Sequence, residues 1–178
     1  MEKYTIKKIT TISILLAICI AISIIDSLIS GLIIPFMPGV KLGLSNVIIL
    51  VLLYQYRFDV GFVATILKSL IVGLLFSGIT TYIIGGTASL VSFQLMYLMK
   101  KLLNEKVSMV SVSLIGGLSH ILTQLLIVSL IYKLGSVVFM YGVYLILISI
   151  ITSIIVGLVS IKCNGLITKI NERWKYEE

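Results

Sequence analysis

The chain has 178 residues, 59% of them hydrophobic and 12% charged, with a net charge of +7. Mean hydropathy is +1.19. An average soluble domain carries about 25% charged residues, so a water-soluble globular fold is excluded and lipid is the solvent. Two prolines and the lack of a long polar tract exclude a disordered chain.

A helix needs about 20 apolar residues to cross the hydrocarbon core. Six such segments follow one another with short connections. They run about Ile9–Leu32, Leu42–Tyr56 (short, after a Pro-Gly turn), Val60–Phe76, Thr80–Met99, Val107–Tyr132 and Val137–Ile161. Only Ser77-Gly78 marks the break between the third and fourth. The first segment is too long for a signal-peptide core and is read as a retained span. Residues 171–178 form a short charged end. Cys19 and Cys163 lack CxxC or Cys/His spacing, so they read as small packing residues and not as metal ligands. The expected fold is an all-α integral membrane protein, a single transmembrane domain over 1–178.

Charge placement sets the orientation. With both termini in the cytoplasm, Lys3, Lys7, Lys8, Arg57, Lys100, Lys101, Lys106, Lys162, Lys169, Arg173 and Lys175 fall inside, and Lys41 and Lys133 outside. Eleven against two is a strong positive-inside bias. The basic surplus is therefore read as topology, in a multi-pass cell-membrane protein, and not as a nucleic-acid surface.

Ionisable groups within spans are costly and mark functional candidates. Asp26, Lys68 and His120 are these, with Asn46, Gln94 and Gln124 as uncharged companions and Lys41 at the outer mouth. All but Gln94 fall between the midplane and the outside, on four spans, as a cavity open outward requires. Gly116, His120 and Gln124 recur every four residues and share one helix face. In segment one Thr10, Ser13, Ala17 and Ala21 make a stripe of small residues suited to close helix packing. Asp26 lies nine residues from Ala17, about 180° round the helix. Carboxylate and stripe therefore point opposite ways.

Each feature also has a plain structural reading. Asp26 and Lys68 form an ion pair, His120 is a hydrogen-bonded core residue, Ala17 and Ala21 pack internally, Lys41 anchors at the interface, and Gln94 bonds between helices. The shared depth of the polar set favours a site.

The run Pro38-Gly39-Val40-Lys41-Leu42-Gly43-Leu44-Ser45-Asn46 resembles the family named Gx transporter or heptaprenyl diphosphate synthase component I. So do Leu67-Lys68-Ser69-Leu70, Gly73-Leu74-Leu75-Phe76, Gly85-Gly86, and Ser119-His120 with Gln124, over about Ile9–Ile161. The chain departs from the family pattern at Lys68, where Arg is usual, and at Ser119 and Ile121. That family is similar to the substrate-binding S components of energy-coupling factor (ECF) transporters. The resemblance implies a six-helix bundle with both ends inside that captures a scarce nutrient from outside. It also implies that Ala17 and Ala21 dock on a transmembrane coupling subunit driven by two ATPases.

Three functions follow. In the first, the chain is such a binding subunit. Lys41, Lys68 and His120 meet an anionic or carbonyl-bearing group, Asp26 balances Lys68 or holds a ligand donor, and Asn46 and Gln124 direct hydrogen bonds. The ligand is small and partly hydrophobic, such as a quinone or isoprenoid precursor or a flavin-like vitamin. In the second, the chain is a membrane accessory subunit of a prenyl diphosphate synthase. The catalytic role needs clustered aspartates to hold Mg²⁺, and the chain has only Asp26 and Asp59. In the third it is a stand-alone carrier or scaffold, for which no inverted repeat is visible. No phosphate-binding GxxxxGK[ST] loop occurs, so the chain is expected to hold no cofactor, ATP being used by the partner ATPases.

Overall fold

A computed structural model describes residues 2–33, 40–103, 107–133 and 137–176. These form α1 (Glu2–Ile33), α2 (Asn46–Gln55), α3 (Phe58–Val72), a π-helical turn (Gly73–Ser77), α4 (Gly78–Leu103), α5 (Met109–Tyr132) and α6 (Val137–Tyr176), with no strand among the described residues. Five stretches are long and apolar enough to cross a membrane: Ile6–Leu32, Phe58–Leu75, Gly78–Leu103, Met109–Tyr132 and Met140–Trp174.

The surface is apolar, unlike that of a soluble protein, and several polar groups are buried among the core residues. Ile14, Ile25, Leu28, Leu75, Leu126, Leu130 and Met140 are exposed, whereas Asp26, Lys68, His120, Gln124 and a series of serines are buried. The first set suits an apolar surrounding such as lipid tails, and the second must find partners inside. The serines do so between helices. Ser92 Oγ donates to the Gly116 carbonyl at 2.7 Å, Ser113 Oγ to the Ser153 carbonyl at 2.7 Å, and Ser160 Oγ to the Val47 carbonyl at 3.2 Å. Short polar side chains of this kind let membrane helices approach closely and tie them together.

α2 is the hub. Residues 46–53 are all buried, and they pack with Leu15 and Cys19 of α1, Ala64 of α3, Phe93 and Met96 of α4, Val112 of α5 and Val156 of α6. A helix apolar on every side belongs in the centre of the bundle. Its ten residues reach about 15 Å, half of a hydrocarbon core. The expected second segment, Leu42–Tyr56, is thus helical only from Asn46. Gly43 holds φ +85°, a left-handed conformation that glycine adopts without strain, and this keeps 40–45 out of the helix.

The α3–α4 break falls at the expected place. The π-helical turn ends at Gly78, whose φ of +81° reverses the chain. α1 and α6 run beyond their apolar stretches, α6 through to Tyr176, because helix-forming polar residues continue the hydrogen-bond ladder after the apolar stretch ends. Residues 171–176, expected as a short charged tail, are therefore helical.

One end of the bundle gathers the basic residues. Lys7 of α1 lies over the Trp174 ring of α6 at 5.9 Å, so the two ends of the chain meet there. Lys8 lies over Tyr56 at 5.7 Å and Lys100 over Tyr54 at 4.6 Å. Lys100 Nζ also donates to the Leu53 carbonyl at 2.7 Å, closing the C-terminal turn of α2, where cations are favoured. Pro38, Gly39 and Lys106 lie outside the described residues.

Candidate functional site

At the opposite end, Ser23, Asp26 and Ser30 fall three and four residues apart on α1, hence on one face. All three are buried. Asp26 Oδ2 accepts the backbone N–H groups of Gly43 at 2.9 Å and Leu44 at 3.1 Å. Ser30 Oγ donates to Asp26 Oδ1 at 3.3 Å and accepts the Leu42 N–H at 3.1 Å. The non-helical backbone ahead of α2 thus finds acceptors that neither water nor a ladder supplies. Asp26 is the seat of this connection. Among the described residues it makes no ion pair with Lys68 or Lys41.

From α5, Gln124 completes the seat. Its Oε1 accepts the Lys41 N–H at 3.2 Å, and its Nε2 lies 3.0 Å from His120 Nε2. A backbone N–H can only donate, so Oε1 faces Lys41 and the amide nitrogen donates to His120 Nε2. The neutral ring then carries its proton on Nδ1. That Nδ1 is buried and has no hydrogen-bond partner among the described residues; the Ala88 carbonyl lies near, outside bonding geometry.

Lys68 of α3 is 3% exposed. Its Nζ donates to Ser45 Oγ at 3.1 Å. Ser45 precedes α2 yet makes no side-chain cap bond to it, so its hydroxyl serves the lysine. Lys41 extends over Gly85 of α4, its Cδ and Cε 4.0 Å from where a Gly85 side chain would begin. Burial holds the Lys41 ammonium at about 8, below the usual lysine value, with Asp26 raising it and Lys68 lowering it.

These groups line one cavity of about 20 Å³, between α1, the 40–45 connection, α3, α4 and α5. Asp26, Lys41, Gly43, Lys68, Tyr82 and His120 form its walls. It has room for about one water-sized group. Tyr82 closes one side, packed on Gly73 so tightly that a side chain at 73 would start 2.6 Å from Tyr82 Cβ. A larger groove of about 490 Å³ between α1, α2 and α6 is lined by Leu15, Ile22, Leu44, Ile48 and Val159 among others. It lacks the convergent polar groups that orient a ligand.

Of the six expected binding residues, Asp26, Lys41, Lys68 and His120 line the cavity, and Gln124 stands behind His120. Asn46 does not face it; its side chain lies beneath Gly43, 3.2 Å from where a Cβ would be. Gln94 is exposed and makes no hydrogen bond among the described residues, against the expected interhelical bond. Gly116 admits the Met96 side chain and the Ser92 hydroxyl rather than a neighbouring backbone. Ala17 and Ala21 are exposed, as are Thr10 and Ser13, while Asp26 is buried on the other face of α1. Ser30 and Ser45 are site residues that sequence reasoning missed. The three- and four-residue spacing about Asp26 was a usable signal for Ser30; Ser45 was marked only by its place in the Pro38–Asn46 run.

The family model for heptaprenyl diphosphate synthase component I matches residues 15–163. The chain belongs to this family. The component I match spans every cavity residue and both alanines. No curated protein and no solved structure matches the chain.

Proposed function

We propose that the chain is a six-span membrane protein with both termini cytoplasmic, and that it serves as the substrate-binding subunit of an ECF-type uptake transporter. The observation that carries this reading is a buried cavity bearing two lysines and an unsatisfied imidazole at the end of the bundle away from the basic residues. Charges so placed in an apolar bundle are costly without a function. The basic end faces the cytoplasm by the positive-inside rule, so the cavity faces outward. A small, partly hydrophobic nutrient or cofactor precursor is captured there, its polar end in the cavity and its body along the Tyr82 wall. The exposed stripe with Ala17 and Ala21 docks a transmembrane coupling subunit, and two partner ATPases supply the energy.

The family's name favours a second reading, a non-catalytic membrane subunit beside a soluble prenyl diphosphate synthase. Asp59 is exposed, 3.7 Å from Arg57 at the basic end, far from Asp26, so the two aspartates do not combine into a Mg²⁺–diphosphate site.

Native mass spectrometry of the chain released in mild detergent separates the readings. The transporter reading expects a membrane subunit, two ATPases and a bound small molecule. A soluble synthase in their place overturns it.

A further inference from the structure

Among the charged, amide and imidazole groups around the cavity, donors exceed free acceptors. The carboxylate and amide acceptors are engaged, and the hydroxyls of Ser23, Thr81, Tyr82 and Ser89 on the wall can donate or accept. Both Asp26 oxygens hold Gly43, Leu44 and Ser30, and Gln124 Oε1 holds the Lys41 N–H. The donors are not. Lys68 Nζ has one acceptor, Ser45 Oγ, for its three hydrogens. Lys41 Nζ has no acceptor among the described residues, and His120 Nδ1, protonated by the Lys41–Gln124–His120 chain, has the Ala88 carbonyl beside it but none in bonding geometry. His120 is 4% exposed and Lys68 3%, so neither turns to solvent instead. Formal charge is equally one-sided, with two ammonium groups against one carboxylate.

We infer that the cavity takes the anionic head of its ligand, an acceptor-only oxyanion of the carboxylate or phosphate class, held by Lys41, Lys68 and His120 Nδ1–H. This rests on the binding-subunit reading. An oxyanion supplies lone pairs to three unmatched donors and neutralises the excess charge. An ammonium head meets like charge. A primary amide brings hydrogens to walls whose strongest acceptor is already engaged. The cavity volume of about 20 Å³ takes one oxygen-sized group of the head and not the body. The first turn of α2 is not the anion holder: its N–H groups at 46, 47 and 48 bond to the carbonyls of Gly43, Leu44 and Ser45.

His120 is the single histidine of the chain, so ¹⁵N-histidine labelling places one probe in the cavity. The full chain in nanodiscs is titrated with sodium phosphate, butyrate, butyramide and butylammonium at constant chloride. The expected spectrum shows a protonated Nδ1 that shifts saturably with at least one oxyanion and with neither butyramide nor butylammonium. The stronger of phosphate and butyrate identifies the class. Lys68→Met weakens the response at least tenfold, and Lys41→Gln serves where that variant does not fold. An unprotonated Nδ1, a response to butyramide or butylammonium equal to that of butyrate, or no saturable response to either oxyanion overturns the inference. A response to butyramide alone overturns the anionic head and leaves the binding-subunit reading standing, since that reading falls only with the copurification result.

Discussion

Asp26→Ala removes the acceptor for two backbone N–H groups and for the Ser30 hydroxyl that holds a third. A hydrogen bond to a charged group contributes about 1.5–3 kcal/mol, and a buried donor left unsatisfied costs about 1–3 kcal/mol. Losing the Gly43 and Leu44 bonds at the lower figure comes to about 3 kcal/mol. At about 1.4 kcal/mol per decade, the 42–44 connection opens roughly 100-fold more often. Native-state hydrogen exchange reads this directly. The Gly43 and Leu44 amides should exchange about 100-fold faster, while the α5 and α6 amides away from the cavity keep their protection. Because Lys41 sets the Gln124 orientation, the His120 resonance should shift in the same variant. Unchanged exchange at Gly43 and Leu44 in a folded Asp26→Ala protein would refute the assignment of Asp26 as the seat of this connection.

Butyrate affinity should be flat below about pH 8 and fall above it, because butyrate stays ionised throughout, Lys41 titrates at about 8 and the anion binds the charged ammonium. The fall approaches tenfold per pH unit, measured by titration from pH 6 to 10, and Lys41→Gln should flatten it. Ala17→Trp places a large ring on the exposed face of α1. It should leave the His120 response intact and abolish uptake by cells carrying the transporter; normal uptake would sink the docking role. Gly157→Ala should lower thermal stability in detergent by about 1–3 kcal/mol, because its Cβ would start 2.7 Å from Val110 Cα on α5. Gly31→Ala, with nothing within 4 Å, is the steric control and should not destabilise, since Ala favours a helix over Gly.

What the sequence disclosed depended on the range of the interaction. The long apolar segments and the α3–α4 break were legible because hydropathy and glycine punctuation are local. The pairing of His120 with Gln124 was legible because both lie on one helix, four residues apart. The two faces of α1 followed from the 3.6-residue repeat alone. Lys68 meeting Ser45, or Asp26 reaching Gly43 and Leu44, joins residues 17 to 23 apart, and no periodicity reports such bonds. The true length of α2 was hidden for a different reason. Leu42 and Leu44 are as apolar as the residues that follow, and hydropathy does not separate a helix from a buried extended connection.

In the six-span reading the short α2 leaves half of one crossing to ordinary chain, kept in place by Asp26, Ser30 and Gln124. Those side chains are therefore tied to the architecture, and a paralogue that altered them would lose the crossing before it gained a new ligand. Lys41, Lys68 and Tyr82 carry no such backbone duty through their side chains. Drift in what relatives recognise should thus collect at these three positions, with the tethering trio unchanged beneath them.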